Sequence, residues 1–145
     1  MPHITIDLSA NGPCIDIEVG VSIPREDALK KSKATIPSRV KVRGLIDTGA
    51  SCTAIDPGII TQLGVPATGS TSIQTPSTGT TSHPCQQFDV SIFLIHPNFI
   101  FQLPALPVVA CPLKHQGIQA LIGRDILSNC LFFYNGDVKR FALAF

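Results

Sequence analysis

The sequence predicts an all-β domain, barrel-like, with one or two short helices. Glycine and proline, 11 and 12 of the 145 residues, are spread along the whole chain. Short runs of period-two alternation stand between them, and long helical periodicity is absent. Two Asn-Gly pairs, Asn11-Gly12 and Asn135-Gly136, mark hairpin turns between such runs.

Each element has a local reason. Residues 3–9 alternate apolar and polar, and 14–23 alternate again beyond Asn11-Gly12. Residues 24–33 are polar and suit one short helix, with Pro24 at its first position. Val40–Ile46 reads as a strand ending at Asp47, and 52–55 as a short strand. Asp56-Pro57 then opens a helix, Asp56 capping it, and Gly64 closes it. Residues 70–75 and 81–88 flank Pro76-Ser77-Thr78-Gly79-Thr80, which reads as an exposed hairpin tip. Residues 88–95, 99–103, 108–111 and 119–122 are strand-like. Residues 125–130 are the remaining helix candidate, and 131–134 with 138–145 make a last hairpin around Asn135-Gly136. No repeat or linker divides the chain, so residues 1–145 form one domain.

Charged residues are 14% of the chain, against roughly 25% in an average soluble protein. With 44% apolar residues, that scarcity fits burial of surface in a subunit interface. A net charge of +1 gives no general pull towards nucleic acid or an anionic membrane. Seven of the eleven basic residues lie between Arg25 and Arg43, a run that reads as a solvated loop. Residues 90–113 carry no Asp, Glu, Lys or Arg but hold four prolines, which rules out a continuous membrane helix. The start lacks a basic head followed by an apolar core, so it is not a secretory signal. Five cysteines, without a Cys-x-x-Cys, suggest neither a disulfide framework nor a zinc site. Reduced thiols place the expected location in the cytoplasm. The four histidines show no ligand spacing, so no metal site is expected.

Two runs carry the chemistry. In Leu45-Ile46-Asp47-Thr48-Gly49-Ala50-Ser51 an apolar pair delivers an aspartate into a turn of small residues. Leu121-Ile122-Gly123-Arg124-Asp125 begins 74 residues after Asp47, and the tip at 76–80 falls between them. Asp-Thr-Gly alone is a weak signal, an ordinary strand-to-turn junction. With that order and spacing, residues 40–145 resemble the retropepsin-like (retroviral-type) aspartic proteases. Met1 is expected to open a free-standing product, as in bacterial relatives of the fold. Residues 1–39 are expected to be an N-terminal elaboration on the 40–145 core.

The resemblance implies a homodimeric acid protease. Asp47 would be the catalytic aspartate, supported by Thr48, Gly49 and Ala50, and Pro76 to Thr80 (Pro76, Ser77, Thr78, Gly79, Thr80) would be the flap. Leu121, Ile122, Gly123 and Arg124 would pack under the active loop and tie it near the interface. Residues 141–145 would supply an intersubunit strand, with Phe141, Leu143 and Phe145 facing the partner at period two. Many retroviral members have an acid where Ser51 stands, so the usual salt-bridge partner of Arg124 is missing; Asp125 and Asp56 are the acids that could substitute, and the sequence does not choose.

The chemistry needs two carboxylates. One ionised aspartate takes a proton from water while a protonated one donates to the scissile carbonyl oxygen. Like charges a few ångströms apart cannot both ionise cheaply, so their proton affinities split. The chain has one Asp-Thr-Gly, so the second acid would come from a second copy across a two-fold axis. The expected function is hydrolysis of extended peptide or protein substrates whose apolar side chains fill the pockets, with no metal or organic cofactor. The alternative is a catalytically silent dimerisation or peptide-binding module of the same fold.

Overall fold

The computed structural model describes residues 1–74 and 79–145. Half of the chain is strand and 16% is helix. Among the described residues, ten strands and three short α-helices follow one another as β1 (His3–Asp7), β2 (Cys14–Val21), α1 (Ile23–Lys31), β3 (Val40–Ile46), β4 (Ala54–Ile55), α2 (Pro57–Leu63), β5 (Ala67–Ile73), β6 (His83–His96), β7 (Phe99–Ala110), β8 (Ala120–Ile122), α3 (Arg124–Leu127), β9 (Leu131–Asn135) and β10 (Arg140–Ala144), with a 3₁₀ turn at Lys114–Gln116 between β7 and β8. No helix among the described residues is long and apolar enough to cross a membrane.

The main sheet runs β2-β3-β8-β4-β7-β6-β5, and β2 also pairs with β6. That second pairing closes six strands into a barrel and leaves β5 hanging from β6 as the outer arm of a hairpin. Val19 and Val90, both fully buried, lie inside the closure. Residues 1–39, expected as an elaboration, supply β2, one of the six barrel strands. β3 pairs with β8 in parallel, as β4 does with β7.

A second sheet, β1-β10-β9, caps the barrel. Here the expectation for the C-terminal run fails. Phe141, Leu143 and Phe145 do share one face, but that face belongs to the core of the same chain and is at most 7% exposed. β10 is the middle strand, and Phe132 packs on Phe141 at 6.0 Å between ring centroids. Phe145 sits between Phe99 (6.3 Å) and Phe101 (5.9 Å). Of the two edge strands, β1 and β9, it is β9 that exposes large apolar side chains, with Leu131 and Phe133 65% and 61% exposed.

The Asn11-Gly12 turn also differs from expectation. Ser9 and Gly12 form a single bridge, but β1 goes to β10 while β2 goes to β3 and β6. The turn joins two sheets instead of two partners. The three runs expected at 88–95, 99–103 and 108–111 merge into the long strands β6 and β7. The register slips between Val90/Leu106 and Ile92/Leu103, so Pro104 falls where the ladder is interrupted, while Pro107 stays in register opposite Asp89. Helix α1 starts at Ile23, with Pro24 within its first turn, and buries no residue. The basic stretch is solvated: Lys41 and Arg43 reach Asp16 at 3.2 and 3.3 Å, and Lys30 reaches Glu26 at 2.7 Å. Arg39 stacks its guanidinium 3.6 Å over the Phe93 ring.

Asp56 holds the side of the barrel together. Its Oδ1 accepts the Gly58 amide (2.9 Å), capping α2, and Gly64 ends that helix in the left-handed region at φ +62°. Its Oδ2 accepts the amides of Leu113 (2.9 Å) and Lys114 (3.0 Å). The Leu113 amide is the largest influence lowering the Asp56 pKa, with Gly58 and Lys114 adding to it against the opposing effect of burial. Asp56→Ala is expected to cost about 2 kcal/mol in denaturant unfolding, because it removes the cap and strands the buried Leu113 amide. The folded pKa is depressed, so this stabilisation is present above about pH 4 and is lost as pH falls through the folded value. The gap between variant and parent is therefore expected to shrink in acid.

Candidate active site

Strand β3 carries Asp47 to the mouth of the barrel. Leu45 and Ile46 pair in parallel with Leu121 and Ile122 of β8, and the Ile46 amide donates to the Pro13 carbonyl at 2.9 Å. The Asp47 amide donates to the Ile122 carbonyl (3.0 Å), so the first residue beyond the strand is still held by the sheet. The chain then turns, with the Ala50 amide donating to the Asp47 carbonyl at 3.2 Å. The Gly49 amide donates to Asp47 Oδ1 at 2.9 Å. Asp47 is half-buried, while Thr48 and Gly49 are exposed.

The second motif clasps this turn from below. The Arg124 amide donates to the Ala50 carbonyl at 2.9 Å. Its guanidinium Nη1 donates to the carbonyls of Thr48 (3.0 Å) and Gly49 (3.4 Å). Neither Asp125 nor Asp56 substitutes for the missing acid beside Arg124, because both are used elsewhere. Asp56 caps α2 and binds residues 113–114. Asp125 accepts from the Thr53 hydroxyl (2.6 Å) and amide (2.7 Å) and from the Ile126 amide (2.8 Å). Arg124 has no acid within ion-pair distance among the described residues, and it serves the loop by binding carbonyls.

Thr53 was not singled out by sequence reasoning, yet it is fully buried at the centre of this clasp. Besides binding Asp125, its hydroxyl accepts the Gly123 amide at 3.1 Å. A threonine flanked by small residues carries no local mark of such a role. Its partners lie 70 and 72 positions away. Gly123 is required here by proximity: a Cβ on it would stand 2.6 Å from the carbonyl carbon of Cys52 and 3.0 Å from the Thr53 nitrogen.

Asp47 opens onto a cavity of ≈310 Å³ walled by Ala50, Ala54, Ile73, Val109 and Leu121, with the thiols of Cys52 and Cys111 among them. Burial pushes the Cys52 thiol up, and the Asp125 charge adds to this. Burial does the same for Cys111. Both are therefore packing residues at neutral pH and not thiolate nucleophiles. All five cysteines are free. No group of three or more His, Cys, Asp or Glu able to hold a metal ion occurs among the described residues.

Of the expected flap residues, Gly79 and Thr80 lie in a turn between β5 and β6, and the Gln74 amide donates to the Thr80 carbonyl at 3.1 Å. Pro76, Ser77 and Thr78 lie outside the described residues. Leu121, Ile122, Gly123 and Arg124 stand beneath the loop. Thr48, Gly49 and Ala50 form it.

Residues 32–126 match the family model described as aspartyl protease. The chain belongs to the aspartyl protease family, and its fold is retropepsin-like. Among solved structures it is similar to a retropepsin-like aspartic protease from Rickettsia conorii, with 17% identity, TM-score 0.61, and coverage of 99% of this chain and 91% of that one. A match to EIAV protease in complex with an inhibitor has 15% identity, TM-score 0.42, and coverage of 81% and 86%. No curated protein matches the sequence. At such identities the structural likeness concerns the fold, and family and fold together support a protease-like function.

The clasp of this retropepsin-like domain rests on the absence of a side chain at residue 123. Gly123→Ala is expected to destabilise the fold by about 1–3 kcal/mol, because its clash is with backbone that cannot swing aside. Urea unfolding of the variant measures this, and an unchanged midpoint would show that the two segments separate freely.

Proposed function

We propose that the protein is an aspartic endopeptidase whose dyad is made of Asp47 from each of two copies. One observation carries this reading. A single carboxylate, with one oxygen held by the Gly49 amide, stands half-exposed on a rigid turn beside an apolar cavity. Such a group is half of a general acid–base pair, and a two-fold axis supplies the other half from the same sequence.

In the assembled site the ionised Asp47 takes a proton from water while the water oxygen bonds to the scissile carbonyl carbon. The protonated Asp47 of the other copy gives its proton to the carbonyl oxygen. The tetrahedral intermediate then collapses: the C–N bond breaks, the nitrogen receives a proton, and an acid and an amine leave. Thr48, exposed at the turn, is available to bond across the axis, and Arg124 keeps the turn from opening. The substrate lies extended beneath the β5–β6 hairpin as flap, held by main-chain hydrogen bonds. No metal takes part in this route. Five free thiols suit a reducing, cytoplasmic setting.

The edge of β9 is the surface best suited to bring the copies together. Its backbone groups are open on one side, and Leu131 and Phe133 project from its outer face beside Ala144 and Ala142 of β10. It follows α3 closely, and α3 begins with the Arg124 that holds the Asp47 loop. A silent peptide-binding dimer is the second reading, favoured by the lack of an acid beside Arg124.

Asp47→Asn is expected to lower cleavage of a mixed peptide library about 10³-fold, read by mass spectrometry, while sedimentation still shows a dimer. Equal cleavage by parent and variant would remove the carboxylate from the mechanism. Binding of peptides by the parent with no cleavage at any pH would favour the silent module. Phe133→Lys is expected to shift sedimentation towards monomer and to abolish cleavage with it. A dimer undisturbed by that charge would exclude the β9 face as the interface.

A further inference from the structure

The cavity at Asp47 is not the only pocket of the cleft. A second lobe of ≈430 Å³ adjoins it, sharing Ser51, Cys52, Ile73, Gln74 and Val109 at the boundary. The two lobes differ in chemistry. Around the second stand the hydroxyls of Ser51, Thr71 and Ser72 and the amides of Gln74, at the boundary, and Gln87, in the wall, over a floor of Pro107 and Val109. No Asp, Glu, Lys, Arg or His lines it among the described residues.

Gln87 occupies the centre of this wall by register. It lies opposite Val109 of β7 on one side and Gly69 of β5 on the other. Its backbone carbonyl accepts the Thr68 hydroxyl at 3.2 Å, which pins the strand position. A Cβ on Gly69 would come only within 3.8 Å of Gln87 Oε1, so the glycine leaves space beside the amide. Thr71 and Gln87 are both half-buried, as are Ile73 and Cys85, which pack on the neighbouring core cluster.

We propose that this second lobe is a substrate subsite for an uncharged hydrogen-bonding side chain, glutamine or asparagine above all, with Gln87 as its specificity-determining residue. The inference rests on the peptide-hydrolysis reading and narrows its substrate class. The expectation that apolar side chains fill the pockets then applies to the lobe at Asp47 alone. An aliphatic side chain in the second lobe would strip water from these hydroxyls and amides and return nothing. A charged one would enter a lobe without a counter-ion. A carboxamide both donates and accepts, and so matches the Gln87 amide and the hydroxyls together. In an extended peptide the side chain at the scissile bond takes the apolar lobe, and a nearby residue takes the polar one.

The test uses peptides whose central bond is a reduced, non-hydrolysable amide, with Gln, Leu, Glu or Lys placed in turn at each flanking position. Their binding to the parent protein, Gln87→Leu and Gln87→Glu is read by fluorescence anisotropy. At one position the parent is expected to bind Gln about tenfold more tightly than Leu, the gain of one net hydrogen bond. Gln87→Leu is expected to reverse that order, and Gln87→Glu to favour Lys. Unchanged melting temperatures show that both variants fold. The inference is overturned if no position in the parent prefers an amide, or if the preference survives Gln87→Leu. The same peptides with ordinary amide bonds separate the two readings. A Gln preference in binding without any cleavage counts against hydrolysis and leaves the subsite standing. Cleavage with no such preference retains the protease and removes the subsite.

Discussion

The structure depends on one close crossing, where Gly123 passes against the backbone of Cys52 and Thr53. Two segments some seventy positions apart in sequence meet there without a side chain between them. The buried Thr53 hydroxyl bridges them, donating to Asp125 and accepting from Gly123, so a polar group in the core is satisfied on both sides. Everything above the crossing inherits its position from it. The Asp47 turn hangs from Ile122 and Ala50 hangs from Arg124, so the carboxylate is set by the sheet and α3 together.

The barrel explains why so few charges suffice. Its inside is filled by aliphatic side chains from β2, β3, β6 and β8, and its acids on β2 answer the bases on β3 at the surface. The ion pairs are solvent-exposed and contribute little to stability. The apolar surplus has two destinations. Part closes the barrel under the β1-β10-β9 sheet, where Phe141, Leu143 and Phe145 are covered. Part of the rest remains open at the β6–β7 turn, at Ile95, Phe99 and Ile100, and part on β9, the one strand of that sheet with an apolar outer face and an unpaired edge.

The cleft joins unlike walls because its strands come from unlike environments. β4, β7 and β8 belong to the closed barrel and present small apolar residues to Asp47. β5 and the part of β6 it pairs with, residues 83–88, form an arm beyond the β2–β6 closure that is largely exposed and carries serine, threonine and glutamine. A ligand lying between them meets both chemistries, with Asp47 on the apolar side.

Much of the local structure was legible in the sequence because its causes are local. Strand β3 has the predicted bounds, Asp56 caps α2, Gly64 ends it, and Asp47 begins the turn beyond an apolar strand, all from residues within a few positions of one another. The Gly49 amide reaches Asp47 for the same reason. What sequence could not assign was partnership. Period-two alternation shows that Phe141, Leu143 and Phe145 share a buried face, but the same pattern serves a core or a dimer interface, and the middle position of β10 decided for the core. Asn11-Gly12 marks a turn, but pairing across the chain sent its two strands to different sheets. Arg124 was visible, yet its binding to carbonyls instead of an acid, and the place of Thr53 beneath it, follow from contacts over seventy positions long. Short-range sterics and hydrogen bonding are written in neighbouring residues; which surfaces meet is decided only when the whole barrel closes.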